Sequence, residues 1–129
     1  MMPIQATGVT ALFQVFDMRK SAAWYCDVLG FELKQKHEPD GHLYWAMLNL
    51  GDAVLMLNSK CEDDKRPPAP PRALGHSDVT LYFSCPNVDE AYEHTRAKLP
   101  DLKPPKVASY GITIADPDGF DLCFQQPAE

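Results

Sequence analysis

The sequence predicts an α+β fold in which two similar βαβββ halves pair to form one ligand cleft. Three observations carry this expectation. Within each half the apolar period switches from two to about 3.6 and back. Each helical stretch is closed by a glycine or proline. A proline-rich stretch in the middle of the chain separates two runs that share one element order.

Residues 9–16 are rich in β-branched and aromatic side chains and read as a strand. Asp17 is a suitable N-cap for the next element, where Met18, Ala22, Tyr25 and Leu29 recur at offsets of four, three and four along one helix face. Gly30 stands where that helix should stop. Strands are expected over 31–37, 42–50 and 53–58, divided by the turn signals Pro39-Asp40-Gly41 and Gly51-Asp52. The first module is therefore placed at 7–58. Residues 59–76 hold Pro67, Pro68, Pro70 and Pro71 among charges and read as an extended exposed linker. The second module, 77–126, repeats the order. It has a strand over 79–85, a turn at Pro86-Asn87 and a helix over 88–99 with Val88, Ala91, Tyr92 and Leu99 apolar. Pro100 ends that helix. A short proline-broken segment at 103–108, a strand over 110–115, the turn Asp116-Pro117-Asp118-Gly119 and a strand over 120–125 complete the module. The halves agree in element order rather than identity, and two like units commonly bury a shared surface.

Composition bounds the function. A chain of 129 residues with 45% hydrophobic and 23% charged side chains is that of one soluble globular domain and excludes a largely disordered one. No apolar run approaches the ~18 residues that would span a bilayer, so no membrane partner is expected. The start, Met1-Met2-Pro3-Ile4-Gln5, lacks the pattern of a secretory signal, and a cytoplasmic location is expected. A net charge of -6 argues against nucleic acid, which calls for a basic stripe. Cys26, Cys61, Cys85 and Cys123 show no C-x-x-C spacing, so they read as reduced thiols rather than a zinc ribbon or redox pair.

Two motifs carry a resemblance to a known family. The run Asp17-Met18-Arg19-Lys20-Ser21-Ala22-Ala23-Trp24-Tyr25-Cys26-Asp27-Val28-Leu29-Gly30-Phe31 resembles a strand-to-helix passage ending in a D-V-L-G-F turn. Asp116-Pro117-Asp118-Gly119-Phe120 is similar to the turn before that family's last strand. The family is the vicinal oxygen chelate superfamily, which includes glyoxalase I, extradiol dioxygenases, fosfomycin resistance proteins and bleomycin resistance proteins. The resemblance implies a curved mixed β-sheet cleft with helices on the convex side, but it leaves the chemistry open, since this fold hosts isomerases, dioxygenases, transferases and binding proteins.

The resemblance also implies where a metal would be held in the metal-dependent members, namely on the first and fourth strands of each half. Counting from the motifs, those positions are Thr10, Met56, Thr80 and Cys123. Hydroxyls and a thioether are poor donors for the divalent metals of such sites, and one thiol does not hold an ion. No metal or other cofactor is therefore expected. A register shifted by two would bring Gln14 or Asp121 toward the cleft centre instead. His37 and His42 flank a turn, His76 ends the linker and His94 sits within a helix; surface placement is the simplest reading of each.

Because side chains alternate along a strand, Thr10, Leu12 and Gln14, then Val54, Met56 and Asn58, then Thr80, Tyr82 and Ser84, then Asp121, Cys123 and Gln125 should share the cavity face. Phe13, Val15, Leu55, Leu57, Leu81, Phe83, Leu122 and Phe124 should pack beneath the helices. Trp45, Tyr44 and Tyr110 offer flat surfaces for stacking, against the common alternative that strand aromatics are core or interface. Tyr110-Gly111 resembles the aromatic-glycine pair of bleomycin resistance proteins, and this implies a metal-free, aromatic-lined groove at a homodimer interface. The candidate ligand site is thus Thr10, Gln14, Trp45, Met56, Asn58, Thr80, Tyr82, Tyr110, Asp121 and Cys123. No catalytic residue is assigned: Cys123 has no histidine placed beside it, Ser84 lacks a nucleophile-elbow context, and Asp121 reads as a solvated carboxylate. The leading expectation is a metal-free protein that binds a small hydrophobic or aromatic molecule such as an antibiotic. A metal-dependent lyase or dioxygenase with an atypical site is the alternative, and a structural or regulatory partner module is a third reading.

Overall fold

The computed structural model describes residues 3–59, 76–105 and 111–126. The expected segment at 60–75, the stretch 106–110 with Tyr110, and Cys61 lie outside the described residues. Strand β1 (Ala11–Val15) stops before Asp17, whose side chain accepts a hydrogen bond from the Lys20 amide at 3.2 Å and so caps α1 (Met18–Trp24). The helix does not continue as α to Leu29. Tyr25–Leu29 forms a wider π turn, in which the Phe31 amide reaches back to the Tyr25 carbonyl at 3.1 Å and Gly30, at φ 87°, closes the end. Both Tyr25 and Leu29 stay buried on the inner side.

Strands β2 (Glu32–His37), β3 (Trp45–Leu50) and β4 (Ala53–Ser59) follow, with a 3-10 turn at Pro39–Gly41 between the first two. This turn and the chain after it displace the start of β3 from the expected residue 42 to Trp45. The first sheet runs β1-β4-β3-β2, with β1 parallel to β4 and the other pairs antiparallel. The second half gives β5 (His76–Ser84), α2 (Val88–Arg96), β6 (Gly111–Ala115) and β7 (Phe120–Gln125), ordered β5-β7-β6 with β5 parallel to β7. Asn87 caps α2 by accepting from the Glu90 amide at 3.2 Å. Ser59 and His76, at the ends of the stretch read as a linker, belong to β4 and β5. Among the described residues the second half shows three strands, and residues 103–105, two of them prolines, form none. No helix among the described residues is long and apolar enough to cross a membrane.

Each sheet turns its apolar face toward the helices. Phe13 and Val15 are buried while Leu12 and Gln14 are exposed, and Ala46, Leu48, Leu55, Leu57, Ile112, Ile114, Leu122 and Phe124 continue the buried set. Leu81 and Phe83 are half-buried and pack against it. A chain of rings crosses from one half to the other. Tyr25 meets Phe31 edge-on at 5.4 Å, Phe31 meets Phe83 at 6.1 Å, and Phe83 stacks on Phe124 at 4.7 Å. Phe13 of β1 stacks flat on Phe120 of β7 at 3.8 Å.

The halves are also tied by the turn Asp116-Pro117-Asp118-Gly119. Asp116 Oδ1 accepts from the amides of Asp118 at 2.9 Å and Phe120 at 2.8 Å, which shapes the turn. Asp118 then accepts from the Phe16 amide at 3.0 Å and from Ser21 Oγ at 3.2 Å, both in the first half. Tyr25 OH donates to Asp116 Oδ2 at 2.6 Å. Both carboxylates are buried. Burial pushes the Asp116 carboxyl above its ordinary 3.8, against the pull of its hydrogen bonds, and burial beside Asp116 pushes the Tyr25 phenol up as well.

Asp118→Ala removes this acceptor from a half-buried amide and a buried hydroxyl and is expected to lower stability by roughly 2–4 kcal/mol, with Ser21→Ala costing about 1 kcal/mol, both read from urea midpoints. A carboxyl with a raised folded pKa contributes stability that is complete below its ordinary value and is lost as pH rises through the folded value. Wild type should therefore lose stability relative to Asp116→Asn as pH rises above the ordinary value of 3.8, measured as the difference between paired urea titrations.

Candidate functional site

The faces turned away from the core carry the candidate site, and strand register arranges their side chains in rows. In the first sheet Gln14 pairs with Asn58, and Asn58 pairs with Trp45. One row along, Leu12 pairs with Met56, and Met56 with Met47. In the second sheet Thr80 pairs with Asp121, and Asp121 with Ala115; Tyr82 pairs with Cys123, and Cys123 with Thr113. Directly paired side chains on one face stand ~4.5–5.5 Å apart, so each row is a contiguous strip.

Eight of the ten predicted residues therefore fall into two groups, Gln14, Trp45, Met56 and Asn58 on the first sheet and Thr80, Tyr82, Asp121 and Cys123 on the second. Thr10 lies exposed just before β1, and Tyr110 falls outside the described residues. Tyr44 precedes β3 and stands between the rings of His37, at 6.4 Å, and His42, at 6.1 Å. Those histidines thus belong to the hairpin end and its tyrosine.

Asn49 is a member that sequence reasoning missed. It sits on β3 two residues from Met47 and four from Trp45, and pairs with Val54 and Glu32. Its Oδ1 is buried without a hydrogen-bond partner among the described residues. An unmet buried acceptor costs roughly 1–3 kcal/mol, which marks it as a place for an incoming donor. The signal was present in the sequence as an amide in phase with Trp45. In the second sheet Gly111 keeps space beside the thiol: a Cβ there would lie 3.4 Å from Cys123 Sγ and 3.1 Å from the Phe124 carbonyl oxygen.

The donor chemistry does not fit the metal that related enzymes hold. Two hydroxyls, a thioether and a thiol occupy Thr10, Thr80, Met56 and Cys123, and the alternative donors Gln14 and Asp121 belong to different sheets. Among the described residues no three His, Cys, Asp or Glu side chains gather at one point. The faces offer amides, hydroxyls, one aspartate and aromatic planes, a makeup suited to orienting a small molecule.

Two modules that each lay a helix on one face of a mixed sheet and leave the other face to polar and aromatic side chains define the glyoxalase and bleomycin-resistance class of fold. Residues 8–124 match the Glyoxalase/Bleomycin resistance protein/Dioxygenase superfamily, and the chain belongs to it. Among curated proteins none matches the sequence. Solved structures similar to it include TioX from Micromonospora sp. ML1, with 20% identity over 94% of this chain and 98% of that one and a TM-score of 0.71. TnmS3, an antibiotic binding protein from Streptomyces sp. CB03234, shares 20% identity over 98% of this chain and 100% of its own, with a TM-score of 0.67. The bleomycin-binding protein of bleomycin-producing Streptomyces verticillus, solved with copper(II)-bleomycin, shares 15% over 98% and 100% at 0.68. At these identities the likeness is one of fold.

The two faces of β5 and β7 should respond differently to truncation. Leu122→Ala is expected to cost about 2–5 kcal/mol, whereas Thr80→Ala and Tyr82→Ala should each stay within about 0.5 kcal/mol by chemical denaturation.

Proposed function

We propose that this chain is a small-molecule binding protein that works without a metal, and that the outer faces of both sheets form its site. The observation that carries the reading is the exposure of Tyr82, at 64%, and Leu12, at 48%, on faces otherwise lined by amides and hydroxyls. Trp45 adds a half-buried indole to the first sheet, and the orphan Asn49 Oδ1 calls for a ligand carrying an N–H or O–H donor. A planar aromatic molecule with such a donor, of the kind found among antibiotics, satisfies both. The antibiotic-binding descriptions of TnmS3 and of the Streptomyces verticillus protein support the same class of ligand.

The proposal includes a homodimer in the cytoplasm. Ile4 and Val9, 93% and 97% exposed in the segment before β1, and Val79 and Leu33, each more than two-fifths exposed, are apolar surface that a second copy would cover. The two sheets share no strand pairing, so the second copy is assigned the role of completing each groove.

Titration of tryptophan fluorescence with glycopeptide and planar aromatic antibiotics tests the reading. Binding should quench the signal, Trp45→Phe should remove most of the quench, and Tyr82→Ala should weaken binding about tenfold, or ~1.4 kcal/mol. Sedimentation at micromolar concentration should give a dimer. About one zinc, nickel, manganese or iron per chain, together with turnover of a hemithioacetal or catechol, would replace this reading with a metal-dependent lyase or dioxygenase.

A further inference from the structure

We propose a second binding site at the seam between the two halves, a cavity of about 300 Å³ that takes a small, neutral, apolar molecule of one or two rings. It is separate from the outer faces and independent of the function assigned to them. Leu29 and Gly30 at the end of the π turn and Leu50 at the end of β3 supply the wall from the first half. Cys85, Ala91, His94 and Phe124 supply the wall from the second. Strand parity separates this cavity from the candidate site. Leu50 is in phase with buried Ala46 and Leu48, and Phe124 with buried Leu122, whereas Trp45, Met47 and Cys123 face the other way.

Gly30 borders the opening. At φ 87° the backbone there disfavours any side chain, and a Cβ would stand 3.6 Å from His94 Nε2. The residue that ends the π turn therefore also faces α2 across the opening, at a distance a side chain's first carbon would fill to ordinary contact. The gap has an imidazole edge on one side and bare backbone on the other.

Size and wall chemistry select the occupant. The volume lies at the lower limit of ligand pockets, ~300–1,000 Å³, which admits one or two rings and excludes a glycopeptide. Leucine, alanine and phenylalanine carbon makes up most of the lining. Thr95, also in the wall, donates its hydroxyl to the Ala91 carbonyl at 2.8 Å. Among the described residues no carboxylate, lysine or arginine lines the cavity, so the walls described give a charged ligand no counter-charge for the hydration it would lose. Burial raises the Cys85 thiol above its ordinary value, with the nearby Cys123 adding to the shift, so the sulfur presents itself as a neutral, polarisable group. Among the described lining residues His94 supplies an orienting polar contact. Since such a ligand touches both halves, it binds only when they are docked and must stabilise the fold.

The thiols are natural reporters for the two sites, because Cys85 lines the seam and Cys123 lies on the outer face of β7. Indole is the probe, and iodoacetamide alkylation of each cysteine is followed by peptide mass spectrometry on the full-length protein. Saturating indole should slow alkylation of Cys85 about fivefold by blocking access, leave Cys123 within about twofold, and raise the melting temperature. Ala91→Phe, which fills the cavity, should abolish the Cys85 protection. Protection of Cys123 alone, or of neither thiol, would overturn the proposal, as would unchanged protection of Cys85 in a folded Ala91→Phe protein. Should that variant not fold, the wild-type protection pattern decides. The antibiotic titration is read on Trp45, on the other face, so the two proposals fail independently.

Discussion

The arrangement of the molecule depends on the buried carboxylate of Asp118, which belongs to the second half and accepts its hydrogen bonds from the Phe16 amide and the Ser21 hydroxyl of the first. Apolar contact between the halves, including the flat stack of Phe13 on Phe120, is attractive but weakly directional. Hydrogen bonds to a buried charge are directional, and leaving them unmade is expensive. Asp116 prepares the arrangement by bending its own turn onto two backbone amides and holding Tyr25 from the far side. A beginning of α1 that is out of place leaves one or more of these groups buried and unpaired.

From that constraint the division of labour between sheet faces follows. Once α1 and α2 cover the inner faces, every second residue along most of β1, β3, β4, β6 and β7 is committed to the core and alternation delivers the rest to the surface, while the edge strand β2 stays exposed throughout. The surface residues are therefore free to carry recognition without disturbing the fold. On the first sheet they form a strip of two amides and an indole beside a thioether row; on the second, a phenol and a thiol lie beside an aspartate. These side chains supply shape, stacking planes and hydrogen bonds rather than a set of donors suited to a divalent ion. The seam cavity belongs to the opposite, core-facing side and is neutral where the outer faces are polar.

Much of this was legible in the linear chain. Alternation along 9–16, 53–58 and 120–125 separated the buried side chains from the outward ones, because one buried face fixes register to the residue. Asp17 and Asn87 announced their helices through local capping, which needs no tertiary partner. One departure has a cause distant in sequence and one a local cause. The spacing of Tyr25 and Leu29 suits α and π geometry alike, and their neighbours Asp116 and Phe31 are not part of that pattern. The strand expected from residue 42 starts at Trp45, since Asp40 takes a left-handed conformation at φ 54° and the turn occupies the preceding residues.

The sequence by itself determined the order of elements in the first half, the family, and which side chains the first and last strands of each half turn outward, because periodicity, caps and turns are local consequences of residue identity. The tertiary structure decided what those pieces do to one another. It turned the Asp116-Pro117-Asp118-Gly119 turn into the tie between the halves, left Asn49 Oδ1 buried with no donor among the described residues, and opened a largely apolar cavity beside Gly30. Each of these joins groups many residues apart, and only packing sets such distances.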